Sequence, residues 1–155
     1  MEHRTLRTAL EAEHRDIDGG IETFLEQVSE ELGSTEELRR SLAGLRRHIY
    51  LEEEFLFPPL KSAGLMGPIF VMEREHGALW KAMDEVDGLI AENDGTAVHK
   101  ACTHMLEVLA KHNAMEEKVI YAQADELLDQ SAGRELLEFM ESGSAPAGWV
   151  AHSAR

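Results

Sequence analysis

Residues 46–60 read RRHIYLEEEFLFPPL, and they decide the fold. Upstream, Leu38, Leu42 and Leu45 recur at intervals of three and four, the spacing of one face of an α-helix. His48 and Glu52 continue that face, so a histidine and a carboxylate stand one turn apart where apolar residues belong. Phe55 resumes the apolar stripe, and Pro58 with Pro59 is expected to close the helix. A second run from Lys111, KHNAMEEKVIYAQ, repeats the anomaly with His112 and Glu116.

The rest of the chain carries the same period. Leu6, Leu10, His14, Ile17, Ile21, Phe24, Val28 and Leu32 form one stripe. It runs in phase through Gly19 and Gly20 and is expected to stop at Gly33. Ser34 with Glu37 reads as a capping box for the second helix. Pro68 is placed as the first residue of a third, whose stripe is Ile69, Met72, His76, Leu79, Met83, Val86 and Ile90. ENDGT, residues 92–96, reads as a turn with Thr96 as the next N-cap. The fourth helix then carries Val98, Ala101, Met105, Val108, His112, Met115 or Glu116, and Val119. Four helices joined by short loops predict an all-α fold, an antiparallel up-down-up-down four-helix bundle over residues 1–130. Residues 131–155 are expected to add a short C-terminal helix, GRELLEFM, and a flexible, loosely held tail.

That topology places the anomalous residues at one height. With adjacent helices level at their ends and about 1.5 Å of rise per residue, His14, His48, Glu52, His76, His112 and Glu116 fall in a slab roughly 8 Å thick. A lone histidine on an apolar face is usually a satisfied core residue. Six inward polar groups at one level are different, because each left unpartnered costs roughly 1–3 kcal/mol. Histidine–glutamate pairing between helices offsets part of that cost; a bound cation offsets more. Four imidazoles and two carboxylates exceed one tetrahedral zinc and suit two ions sharing carboxylates. The mixed nitrogen and oxygen donors favour iron, manganese or zinc, and ligand softness alone does not choose between them.

Composition narrows the partners. The 155 residues are 43% hydrophobic and carry a formal charge of −15, from 30 acids against 15 bases. That balance argues against nucleic acid and anionic membrane, which are bound through clustered Lys and Arg. One cysteine, Cys102, cannot form an internal disulfide, and the N-terminal residues lack a signal-peptide core, so a cytoplasmic location is expected.

The order His14, His48-xxx-Glu52, His76, His112-xxx-Glu116 resembles the hemerythrin-like (HHE cation-binding) family, in its bacterial H–HxxxE–H–HxxxE form. The resemblance covers residues from about 5 to 125. It implies a non-haem di-iron centre with the four histidines as terminal ligands, Glu52 and Glu116 as bridges, and an oxygen from water as the remaining bridge. The oxygen-carrying members have a further histidine one turn before the third-helix ligand; Met72 stands there in this chain. They also place an aspartate five residues after the fourth-helix histidine, where Glu116 follows His112 by four. One fewer histidine implies an added open or water-filled position, suited to a small oxidant such as peroxide, oxygen or nitric oxide.

Other residues receive plainer readings. Glu73 has the Glu-xx-His spacing of carboxylate sites with His76, but it lies off the stripe and reads as a flanking surface group. Tyr50 and Tyr121 are expected on the outer flanks, and Glu53, Glu54 and Glu117 as solvated charge. His104 is expected to pack, His3, His99 and His152 to lie near ends, and Trp80, Met83 and Met72 to wall the site. Two further functions stay open: a non-catalytic sensor or carrier of oxygen, nitric oxide or iron, and a structural bundle whose metal-free polar layer fixes register.

Overall fold

A computed structural model describes residues 5–27 and 31–155 of the chain; the expectations for His3 and Val28 lie outside them. All regular structure among the described residues is helical. The helices are α1 (Leu6–Gln27), α2 (Glu36–Leu51), α3 (Phe57–Ser62), α4 (Met66–Ala91), α5 (Gly95–Met115), α6 (Ala122–Leu127) and α7 (Gln130–Ser142). A π-helical turn, Glu52–Leu56, joins α2 to α3, and a second, Glu116–Tyr121, joins α5 to α6. Four rods result: α1, α2–α3, α4 and α5–α6. They form the expected antiparallel bundle, with α1 against α2 and α5, and α4 against α5 and α3.

The apolar interior has two parts. One contains Ile17, Ile21 and Phe24 of α1, Leu38, Leu42 and Leu45 of α2, Leu79 and Met83 of α4, and Val98, Cys102 and Met105 of α5. The other contains Leu6 and Leu10, Leu56, Phe57 and Leu60, Ile69 and Met72, and Ile120, Tyr121 and Ala124. Each rod passes from one core to the other at its motif histidine, so the six anomalous residues form a polar layer between two apolar halves.

Several sequence expectations change at the helix ends. Helix α2 starts at Glu36 with Thr35 before it and no side-chain cap, and Glu37 instead pairs with Arg40 at 2.7 Å, so the Ser34–Glu37 capping box does not form. Asp94, not Thr96, caps α5, accepting from the Ala97 N–H at 3.1 Å. The preceding turn passes through Asn93 at φ 57°, a left-handed conformation that asparagine tolerates. Helix α4 opens at Met66, two residues before Pro68. Gly64, at φ 108°, makes the bend out of α3.

Pro58 and Pro59 do not stop the second rod. The π turn intervenes, with the Phe57 N–H donating to the Glu52 carbonyl five residues back, and the prolines fall in the first turn of α3. Their missing N–H groups are tolerated there, because a first turn does not need them all.

The C-terminal segment, read from sequence as loosely held, is packed in the structure. Ala151 is fully buried, and a 3-10 turn, His152–Ala154, lies against α4. Trp149 packs edge-on to Trp80 and Tyr50, with centroids 5.4 and 5.1 Å away. No helical period announces this contact, because the segment docks through single side chains and backbone. Arg47 ties α7 down in the same region, donating to the carbonyls of Phe139, Met140 and Gly143 at 2.5, 2.8 and 2.9 Å.

Candidate metal centre

The structure brings all six anomalous residues together. His14, His48, Glu52, His76, His112 and Glu116 are all buried. They form two overlapping groups, His14–His48–Glu52–Glu116 and Glu52–His76–His112–Glu116, each offering ligand atoms within 4.8 Å of one another. Two histidines belong to each group, and both carboxylates belong to both. Glu116 faces both ways: its Oε1 lies 3.0 Å from His14 Nε2, and its Oε2 lies 3.4 Å from His112 Nε2. Glu52 Oε1 stands between His76 Nε2 at 3.1 Å and His48 Nε2 at 3.5 Å.

The donor set fits a pair of cations. Glu52 Oε1, Glu116 Oε2 and His76 Nε2 are buried and make no aligned hydrogen bond, although His76 Nε2 lies 3.1 Å from the first and 3.8 Å from the second. Buried polar atoms are seldom left so. Three such atoms in one place, all of metal-ligating type, are the expected condition of a site built for ions. Glu73 is outside both groups and pairs with Lys61.

Charge coupling inside the layer is strong. Burial disfavours a charged His48, but Glu52 and Glu13 outweigh it and push it up to about 10. His76 is likewise raised against its burial, by the neighbouring carboxylates of Glu116, Glu52 and Glu53, and His112 chiefly by Glu116. Burial pushes Glu116 up, yet the neighbouring imidazoles, His112 foremost, hold it well below the usual carboxylate range. Without cations, the imidazoles and carboxylates act as one another's counter-ions.

Four further glutamates stand around the six. Glu13 lies 2.7 Å from His48 Nδ1, Glu53 2.8 Å from His76 Nδ1, and Glu75 2.8 Å from His112 Nδ1. Glu117 approaches His14 Nδ1 at 3.5 Å. The pattern is cyclic: each rod supplies a glutamate to the histidine of the next, and the fourth returns to the first. Each of these glutamates is the chain neighbour of a residue in the inner six. The pairs EH at 13–14 and 75–76, and EE at 52–53 and 116–117, were the available signal. Glu53 and Glu117 are therefore corrected from solvated charge to partners of the inner histidines, and Glu53 is buried.

Tyr121 is the residue that the sequence reading misplaced. Its side chain is fully buried, and its hydroxyl lies 2.7 Å from Glu52 Oε2 and 2.8 Å from Glu116 Oε1. The same oxygen is 2.9 Å from His48 Nε2 and 3.0 Å from His14 Nε2. Five residues separate Tyr121 from Glu116, a spacing that in an α-helix turns the second side chain well off the first one's face. The π turn Glu116–Tyr121, with its i to i+5 period, brings both inward. Burial and the two carboxylates push its hydroxyl well above the ordinary tyrosine range, so it stays protonated and donates to one of them. Tyr50, in contrast, packs against Phe55 and Phe139 on the flank, as expected.

Phe57 stacks on the His76 ring at 5.5 Å, and Met72 is buried one turn before His76. Met72 also lines an apolar pocket of about 200 Å³ with Pro68, Val71, Met115, Val119 and Ile120. His104, expected to pack, is instead exposed on α5.

A four-rod bundle with a paired histidine–carboxylate centre defines a class of cation-binding helical proteins. Residues 5–124 match the hemerythrin HHE cation-binding domain, and the chain belongs to that family. It is 31% identical over 103 residues to the iron-sulfur cluster repair protein YtfE of Yersinia pestis (strain Pestoides F). The same identity is found with YtfE of Yersinia pseudotuberculosis serotype O:1b (strain IP 31758). The match covers 59% of this chain and 47% of each relative, so the chain spans about half the length of the curated relatives it matches. No solved structure gives a significant match. Among the described residues, no helix is long and apolar enough to cross a membrane.

Proposed function

We propose that this protein binds two iron ions and that the pair meets a small oxidant: oxygen, peroxide or nitric oxide. His14 and His48 would hold one ion, His76 and His112 the other, with Glu52 and Glu116 shared. The carrying observation is the overlap of the two donor groups through both glutamates, with orphaned atoms at the overlap. Zinc or manganese would fit the same donors. The lone, buried Cys102 is in keeping with a cytoplasmic setting.

The iron pair, when bound, would supply the electrons exchanged with the oxidant. The protein's own groups do the rest. With the Nδ1–H of His48, His76 and His112 each donated to an outer carboxylate, Nε2 of those rings is left to face the centre as a lone pair, and the rings are fixed in that orientation. Glu13, Glu53 and Glu75 set this tautomer at His48, His76 and His112. Tyr121 holds a proton at its phenolic oxygen between the two carboxylates, within reach of either. Phe57 and Met72 shield the His76 side from water, and the apolar pocket beside Met72 favours a small uncharged visitor.

The test is a count of metal atoms per chain, by elemental mass spectrometry, in untagged protein purified without oxygen. Two irons support the reading. One zinc would keep the ligands and remove the redox role. No metal, even after iron loading, would leave the polar layer as a device that fixes register. A second reading draws on the YtfE relatives, which are named for iron–sulfur cluster repair: the paired irons would be held for delivery. Multiple turnovers of peroxide or nitric oxide would favour the first reading; transfer of iron to a cluster-free acceptor would favour the second.

A further inference from the structure

The triplet Glu52-Glu53-Glu54 divides three tasks along one π turn. Glu52 enters the inner layer, Glu53 supports His76, and Glu54 faces the C-terminal segment, where it accepts from Trp149 Nε1 at 3.1 Å and contacts His152 Nε2 at 2.9 Å. Glu53 is also part of that last contact. Its Oε2 meets His76 Nδ1 at 2.8 Å, while its Oε1 accepts the His152 backbone N–H at 2.9 Å.

We propose that residues 149–155 are a positioning strap for His76, acting through Glu53. Among the four outer glutamates, Glu53 has a side chain 0% exposed, against 20% for Glu13, 39% for Glu75 and 32% for Glu117. The strap supplies both that cover and the partner of the second carboxylate oxygen. A carboxylate held at both oxygens keeps one orientation; with one released to water, its grip on the imidazole loosens. Packing points to the same pairing of strap and histidine. A Cβ added to Gly77, the residue after His76, would lie 2.7 Å from Ser153 Cβ and 2.8 Å from the Ser153 carbonyl carbon and oxygen. The strap therefore sits directly on the backbone of the turn that carries His76, at a place that only glycine leaves open.

The consequence for metal rests on the di-iron reading, but the strap itself is testable without metal. In the metal-free protein, the His76 Nδ1–H should give a slowly exchanging imidazole proton signal by NMR. Deleting residues 149–155 should abolish its protection while circular dichroism still reports a helical bundle. Gly77→Ala is the second variant, because alanine favours the helix while its methyl lifts the strap. In iron-loaded protein, both variants should speed release of one iron of the two to a chelator by about tenfold, the lower end of what losing an outer partner costs a metal site. Glu53→Ala should do the same, and deleting the strap in the Glu53→Ala background should add nothing. An unchanged His76 signal in both strap variants would overturn the proposal, as would additive effects in the double variant. If the intact protein binds no iron, the di-iron reading fails, and the NMR comparison still decides the strap.

Discussion

The two HxxxE arms match as far as their glutamates and then part. In each, histidine and glutamate stand one turn apart, the glutamate begins a π turn, and the next residue is a glutamate serving the adjacent rod's histidine. Beyond that point the first arm reaches the C-terminal segment through Glu54 and lays Phe57 on His76, and the second carries the Tyr121 hydroxyl into the centre. One motif thus receives its outer support from the far end of the chain, and the other places a phenol in the middle of the layer. The four-residue motif fixes where the inner donors stand. The five-residue turn after it fixes how each side of the centre is furnished.

The comparison breaks most visibly if either arm loses its inner residues. His48→Ala or Glu116→Ala should remove at least one iron per chain, whereas His104→Ala should leave iron content unchanged. Equal iron in all three variants, measured by elemental mass spectrometry, would refute the assignment of the six. Tyr121→Phe comes next. Four centre atoms lie within 3.0 Å of its hydroxyl, and losing a buried partner costs roughly 1–3 kcal/mol. The metal-free variant should melt about 5 °C lower for a chain of this size, with a smaller drop once iron occupies the carboxylates. Equal drops with and without iron would show the hydroxyl to be ordinary packing.

Smaller effects sharpen the contrast between the outer glutamates. Glu53→Gln should accelerate iron loss severalfold more than Glu117→Gln, because Glu53 is buried and hydrogen-bonded while Glu117 stands 3.5 Å from its histidine and partly in water. Similar release rates would mean that burial does not rank the two supports. The smallest response is expected at Cys102, which belongs to the apolar half below the layer. Burial pushes its thiol up to about 11, so the thiolate is scarce at neutral pH. Native protein should react with a thiol reagent many times more slowly than unfolded protein; equal rates would place Cys102 outside the closed core.

The bundle and the convergence of the six residues were legible because both depend on the α-helical period, which also spaces His48 from Glu52 and His112 from Glu116. Legibility ended where that period ended. Each π turn resets the phase, so Tyr121 was read as flanking and Pro58 as a stop. The outer glutamates act between rods, and a single-rod pattern shows only which residue is next to a ligand position. Asp94 overrode Thr96 because the turn at Asn93 determines which side chain meets the free N–H groups. The strap was missed because its anchors, one tryptophan, one backbone amide and the bare backbone of Gly77, have no period.

The position of the polar layer between two apolar cores bears on cooperativity. Each half has its own hydrophobic cluster, and side-chain contact between the halves runs largely through imidazoles and carboxylates. Without cations, the halves are joined there only by histidine–carboxylate pairs and should open as separate units, giving a broad or two-step calorimetric transition with unequal hydrogen-exchange protection. Ions held by all four rods would join the halves, and the protein should then unfold as one. Metal would thereby set how many parts the protein has as a thermodynamic object.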